Sequence, residues 1–207
     1  MAAEEISGQA DAAGLAALIS RASQENGSKK RGLPPVERWN PPFCGDIDME
    51  IRADGTWFYM GTPIGRPALV RLFSTVLRRD EDEKTYLVTP VEKVGIRVVD
   101  APFVAVEMSA TVRDGYQVLT FRTNVGDVVE AGGEHRLRFA VTGDNAELKP
   151  YLHVRGRLEA LVSRAVMYEL VALGETLDVE GQAVFAVRSA GEVFPIMPAD
   201  ELDALCR

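Results

Sequence analysis

The sequence predicts an α+β protein made of two tandem, structurally similar units, each a mostly antiparallel sheet with one main helix. Three observations carry this. Runs with the two-residue period of half-buried strands dominate the chain, only two long stretches in its body carry helical spacing, and both halves share one order of elements: hairpin or strand, amphipathic helix, two more strands. Sliding the chain by 92 residues lays Leu69-Val70 over Leu161-Val162, each pair early in an expected helix. The expected divisions are residues 1–40 (a helix and a proline-rich strap), 41–101 (the N-terminal α+β unit) and 102–207 (the C-terminal one).

The elements follow in order. Ala12, Leu15, Ala16, Leu18 and Ile19 suggest a short helix, and the polar stretch from Gln24 to Gly32 reads as a linker whose Lys29, Lys30 and Arg31 are solvated. Leu33-Pro34-Pro35 and Asn40-Pro41-Pro42 bracket Trp39 and force extended backbone, the strap. Ile47, Met49 and Ile51 alternate with charged residues, Asp54-Gly55 is a two-residue turn signal, and Thr56 to Met60 returns as a strand. Pro67 opens a helix whose stripe is Leu69, Val70, Phe73, Val76 and Leu77; a charged loop from Arg78 to Lys84 and strands near 85–89 and 94–99 follow.

From Val104 to Val112 the alternation is clean, Asp114-Gly115 turns the chain, and Tyr116 to Thr123 returns. Arg136 to Thr142 reads as a strand ending in the turn Gly143-Asp144-Asn145. Leu158, Leu161, Val162, Ala165, Tyr168 and Ala172 predict a helix over 157–173, and 183–188 with 193–197 form a last hairpin.

Composition excludes more than it names. The 207 residues carry a net charge of −8, which opposes broad nucleic-acid binding, since that needs a basic face. The longest charge-free run, residues 55–65, is too short and too rich in Gly, Thr and Pro to span a bilayer. Cys44 and Cys206 form neither a disulfide framework nor a zinc motif, and Glu4, Glu5 and Asp11 oppose a secretory leader, so the chain reads as cytoplasmic, with no membrane partner.

Catalytic signatures are absent: no nucleophile elbow, dinucleotide fingerprint, phosphate loop or paired-histidine zinc motif occurs, and His135 and His153 are the sole histidines. No cofactor or metal is expected. Asp46, Asp48 and Glu50 share a strand face, but side chains two apart stand about 7 Å from each other, too wide for one ion; with Arg52 continuing the row, this reads as a solvated polar face. The cations are more informative. Arg66 precedes the first expected helix, and His153, Arg155 and Arg157 crowd the start of the second. A helix N-terminus already carries positive charge, so something anionic should offset them. Asp46, Asp48, Glu92 or Glu159 could do so internally, or a ligand phosphate or carboxylate could. Of Trp57, Phe58 and Tyr59, one strand face must be core and the other is covered or open to a groove.

Several strings resemble a bacterial family, domain-of-unknown-function family 1285: Cys44-Gly45-Asp46-Ile47-Asp48-Met49, Asp54-Gly55-Thr56-Trp57-Phe58-Tyr59, Gly61-Thr62-Pro63-Ile64 with Arg66, and Leu87-Val88-Thr89-Pro90-Val91-Glu92-Lys93. Val99-Asp100-Ala101-Pro102-Phe103, Phe121-Arg122-Thr123-Asn124 and Pro150-Tyr151-Leu152-His153-Val154-Arg155-Gly156 extend the resemblance over residues 34–197. It implies two similar α+β units, the second pleckstrin-homology-like, no established catalysis, and a ligand groove between the units with a role in signal transduction.

The expectation that follows is a non-enzymatic cytoplasmic binding protein holding a small anionic ligand, nucleotide-like molecules among the candidates, with residues 89–103 helping to line the groove. Arg66, Lys93, Arg155 and Arg157 would meet the anion, Asn124 and His153 would give neutral hydrogen bonds, and Trp57 or Tyr59 would stack. Two alternatives stay open: a protein-interaction scaffold, and a hydrolase or transferase acting on a phosphorylated small molecule through Glu92 or His153.

Overall fold

The computed structural model describes residues 32–142 and 147–205. The expected N-terminal helix, the linker through Arg31, the turn Gly143-Asp144-Asn145 and Cys206 lie outside them. The chain divides into two compact units, one running to Arg52 and resuming over Thr56–Val98, the other comprising Ala53–Gly55 and everything from Val99 onward.

In the first unit the strap forms a 3-10 turn at Val36–Arg38, followed by strands β1 (Phe43–Ile51), β2 (Trp57–Tyr59) and β3 (Thr62–Pro63), helix α1 (Pro67–Ser74), and strands β4 (Leu77–Arg79), β5 (Thr85–Val88) and β6 (Lys93–Val98). The six strands make one sheet in the order β3-β2-β1-β6-β5-β4, antiparallel except where β1 runs parallel to β6. Met49 and Ile51, on the alternating inner face of β1, bury with Trp57, Phe73, Leu77 and Leu87 as the core. Helix α1 is shorter than its apolar stripe suggests. It stops at Ser74, whose hydroxyl donates back to the Arg71 carbonyl, and Leu77 opens β4 instead. Arg78, expected in a loop, is a buried strand residue. Glu50 on the polar face of β1 is paired by Arg52 and Arg97, the internal countercharge that face calls for.

The second unit holds β7 (Phe103–Arg113), β8 (Tyr116–Thr123), β9 (Val128–Glu130), β10 (Leu137–Thr142), β11 (Glu147–Arg155), β12 (Leu158–Val162) and helix α2 (Arg164–Ala172). A hairpin pair, β13 (Glu175–Val179), β14 (Gln182–Ser189) and β15 (Glu192–Pro198), and helix α3 (Ala199–Leu205) complete it. The larger sheet reads β10-β11-β12-β7-β8-β9, and β13-β14-β15 form a sheet of three strands. Here too two three-stranded meanders are joined at a parallel pair, β7 with β12, as β1 is with β6. The two units are therefore similar sheet-and-helix structures in an α+β fold.

The repeat lies in the sheets and not in the helix positions. In the first unit the helix falls between the two meanders, and in the second it follows both. The offset of 92 residues consequently sets the helical Leu69-Val70 over Leu161-Val162, which lie in strand β12. The helix expected over 157–173 is a strand joined to a shorter helix. Leu158, Ala160 and Val162 bury as alternating residues of β12, and Ser163 then caps α2, its hydroxyl accepting from the Val166 N–H at 3.5 Å.

Candidate functional site

That boundary relocates the cations. Arg155 ends β11 and Arg157 sits in the turn before β12, so neither stands at a helix start. The residue that opens α2 is Arg164, while Arg66 occupies the N-cap position of α1 without a side-chain capping bond, and neither helix has an acid in its first turn. The expected crowding of His153, Arg155 and Arg157 at the start of the second helix is therefore not found; the cation that stands there is Arg164.

The expected ligand residues are largely occupied by the fold. In the first unit Trp57 is buried and stacks on Phe73, ring centroids 6.1 Å apart, which leaves its ring no open face for a ligand base. Lys93 donates to Asp80 at 3.0 Å and lies 4.4 Å from the Tyr86 ring centroid. Arg66 is exposed. In the second unit Asn124 accepts from the Val104 N–H at 3.0 Å and donates to the Gly55 carbonyl at 3.3 Å, closing a backbone gap. His153 has Nδ1 2.9 Å from the Glu134 carbonyl oxygen and Nε2 2.7 Å from that of Gly156, and its ring stacks on His135. Arg155 donates to Asp127 at 2.6 Å, with its guanidinium 4.7 Å from the Phe103 ring centroid.

A different set of residues surrounds open space. A cleft of about 550 Å³ in the second unit is lined by apolar side chains of β7 (Val104, Val106), β12 (Leu161) and α2 (Met167). The parallel pairing of β7 with β12 sets Leu161 beside Val104, and the antiparallel pairing of β12 with β11 sets Tyr151 beside Leu161. Lys149 and Glu147, two and four residues before Tyr151, then fall on the same sheet face because strand side chains alternate, and both line the cleft. Asp54, Ser163, Arg164 and Tyr168 add the remaining polar lining.

The charges at this cleft differ in how they are held. Asp100 accepts from Lys149 at 2.8 Å and from the Tyr151 hydroxyl at 2.7 Å. Desolvation first, and the Asp100 carboxylate second, push the Tyr151 phenol up to about 12. Asp100 likewise raises the Lys149 ammonium above its ordinary value, so that cation stays charged and committed. Arg164 has another kind of partner. Its Nε and Nη2 lie 3.3 and 3.2 Å from the hydroxyl of Tyr168, a neutral group one helical turn on, and the Glu147 carboxylate acts on it electrostatically. Among the described residues no group of three or more His, Cys, Asp or Glu side chains is placed to hold a metal ion. Nor is any helix among them long and apolar enough to cross a membrane.

Sequence reasoning missed Lys149, Arg164 and Tyr168. The available signal was Ser163, an N-cap residue type directly after the alternating Leu158, Ala160 and Val162.

Comparisons with known proteins place this architecture. A family model described as the N-terminal domain of a domain of unknown function, DUF1285, matches residues 34–101. The model of the DUF1285 C-terminal domain matches residues 102–196. The crystal structure of a DUF1285 family protein from Silicibacter pomeroyi DSS-3 is 52% identical over 90% of this chain and 97% of its own, with a TM-score of 0.78. A DUF1285 family protein from Shewanella baltica OS155 is 28% identical over 60% of this chain and 90% of its own, with a TM-score of 0.47. No protein of curated function matches the chain. With both family models matching in tandem across most of its length, the chain belongs to the DUF1285 family.

Proposed function

We propose that this protein is a non-enzymatic, cytoplasmic binding protein that holds a small anionic ligand in the cleft of its second unit. One observation carries the reading: the cleft's volume of about 550 Å³ combines an apolar lining with Arg164, whose hydrogen bonds go to the Tyr168 hydroxyl while the Glu147 carboxylate acts on it electrostatically. Small-molecule sites commonly measure about 300–1,000 Å³ and pair such a lining with a few placed polar groups. The start of α2 adds the partial positive charge of a helix N-terminus beside Ser163. Binding rather than catalysis is supported by the histidines, the side chains best suited to proton transfer near neutrality. His135 and His153 both engage backbone carbonyls, and neither lines the cleft. A ligand-sensing role in signal transduction accompanies this reading. So does pleckstrin-homology-like character for the second unit, for which the support is its largely antiparallel sheet followed directly by α2.

The test is thermal unfolding with a panel of small anions: nucleoside monophosphates, a dicarboxylate and medium-chain carboxylates. Val106 is exposed at the cleft, so Val106→Trp fills it without rebuilding the core. A ligand at a hundred times its Kd stabilises by about 2.7 kcal/mol. At least one anion should raise the melting temperature of the wild type and not that of Val106→Trp. Equal shifts in both proteins, or none in either, would overturn the reading.

A further inference from the structure

We infer that two copies of this chain dimerise, whatever the cleft holds, by pairing the free edge of β7 with the same edge of the partner, antiparallel about a two-fold axis at Ala110. The topology leaves this edge open. β12 pairs with β7 only at Phe103, Val104 and Ala105. A bulge between Ala105 and Glu107 follows, and an unbroken register with β8 then runs to Arg113. Over residues 107–113 the side of β7 away from β8 has no strand partner among the described residues. All of these residues are exposed except the half-buried Met108. Unpaired backbone N–H and C=O groups along such an edge recruit another strand unless Pro, Lys or Gly interrupts them, and this stretch contains none of the three.

The edge is also complementary to itself. Its sequence is Glu107-Met108-Ser109-Ala110-Thr111-Val112-Arg113. Antiparallel pairing about Ala110 sets Glu107 opposite the partner's Arg113, Met108 opposite the partner's Val112 and Ser109 opposite the partner's Thr111. Opposite residues of an antiparallel pair share a sheet face, and ionic, apolar and hydroxyl pairs of these kinds each stabilise it. On one face Arg122 already bonds Glu107, and Arg113 already bonds Glu130. Pairing joins them into a row of alternating sign: Arg122, Glu107, the partner's Arg113, the partner's Glu130. On the other face Val112, at 77% the most exposed large apolar side chain among the described residues, gains cover from the partner's Met108. The length matches as well, since the paired stretch fills the edge from the bulge to the Asp114-Gly115 turn. A slip of two residues puts Glu107 opposite Thr111 or Gly115 and loses both ion pairs.

The experiment is sedimentation velocity of the wild type, Glu107→Lys, Arg113→Glu and an equimolar mixture of the two variants. Both side chains are exposed, so each variant should keep the fold, with circular dichroism as the check. The wild type should sediment at twice the chain mass when concentrated and move toward the chain mass on dilution. In either variant alone like charges face each other at both ends of the pairing, and the dimer dissociation constant should rise at least about tenfold. The mixture should recover the dimer, because a Glu107→Lys chain against an Arg113→Glu chain restores opposite charges at both ends. A wild type that stays monomeric up to about 0.5 mM would overturn the inference. So would variants that dimerise as well as the wild type, or a mixture no more dimeric than either variant alone.

Discussion

Arg155 donates to the Asp127 carboxylate at 2.6 Å, at the junction between the end of β11 and the loop that precedes β9. The pair is largely shielded, with side-chain exposures of 20% and 23%, so each charge depends on the other for solvation. Charge-assisted hydrogen bonds of this kind contribute about 1.5–3 kcal/mol. Arg155→Ala should therefore lower unfolding free energy by about 1–3 kcal/mol in urea denaturation, and a double-mutant cycle with Asp127→Ala should show coupling. An Arg155→Ala protein as stable as wild type would remove this structural role.

Asn124 should behave as a backbone bracket. Its side chain joins the Val104 N–H to the Gly55 carbonyl, so Asn124→Ala should cost about 1–2 kcal/mol through groups left unpaired. Gly55→Ala should cost more than Asn124→Ala. Gly55 has φ +81°, and an added Cβ would lie 2.5 Å from Asn124 Nδ2 and 2.9 Å from a Val104 methyl. Calorimetric melting of the two variants checks the order.

Arg78 ties the proline-rich strap to the first sheet. Its Nη1 donates to the carbonyls of Val36 at 2.9 Å and Trp39 at 2.7 Å, and its Nε and Nη2 clasp Asp80. Arg78→Ala leaves two carbonyls unpaired and the Asp80 carboxylate with Lys93 alone, a loss of about 2–3 kcal/mol. Limited proteolysis should show faster cleavage near residues 34–42 in this variant than in wild type.

The same cluster predicts an acid dependence. Burial works to raise the Asp80 carboxyl, but the bonds from Arg78 and Lys93 outweigh it and hold the group below its ordinary 3.8. A carboxyl lowered in the folded state contributes stability above its ordinary value and loses it as pH falls through the lowered one. Urea midpoints of the wild type should drop below about pH 4, and Asp80→Asn should be less stable at neutrality with a shallower acid limb. Parallel acid limbs would exclude Asp80 as a source of this dependence.

The strands were the most legible part of the sequence, and for a physical reason. Asp54-Gly55 and Asp114-Gly115 mark turns that need a left-handed residue, and Gly55 and Gly115 do have φ +81° and +83°. Flanking alternation then fixes β1, β2, β7 and β8. The parallel pairs β1–β6 and β7–β12 join strands at opposite ends of each meander set, and no local pattern encodes such a pairing. The strand-to-helix junction at Ser163 was hidden because Leu158, Leu161, Val162 and Ala165 fit helical spacing as well as Leu158, Ala160 and Val162 fit a strand. The cations read as standing at a helix start shift with that junction, since Arg155 ends β11 and Arg157 lies in the turn before β12. Trp57, Phe58 and Tyr59 show in sequence that one strand face is core, but not that Phe73 on α1 is the partner that stacks on Trp57.

Native mass spectrometry of protein purified rapidly from cells, wild type beside Val106→Trp, tests the central claim most directly. The wild type should carry a bound small molecule at its intact mass, and Val106→Trp should fly without it. Identical ligand content in the two proteins, whether both loaded or both bare, would contradict a binding role for the cleft.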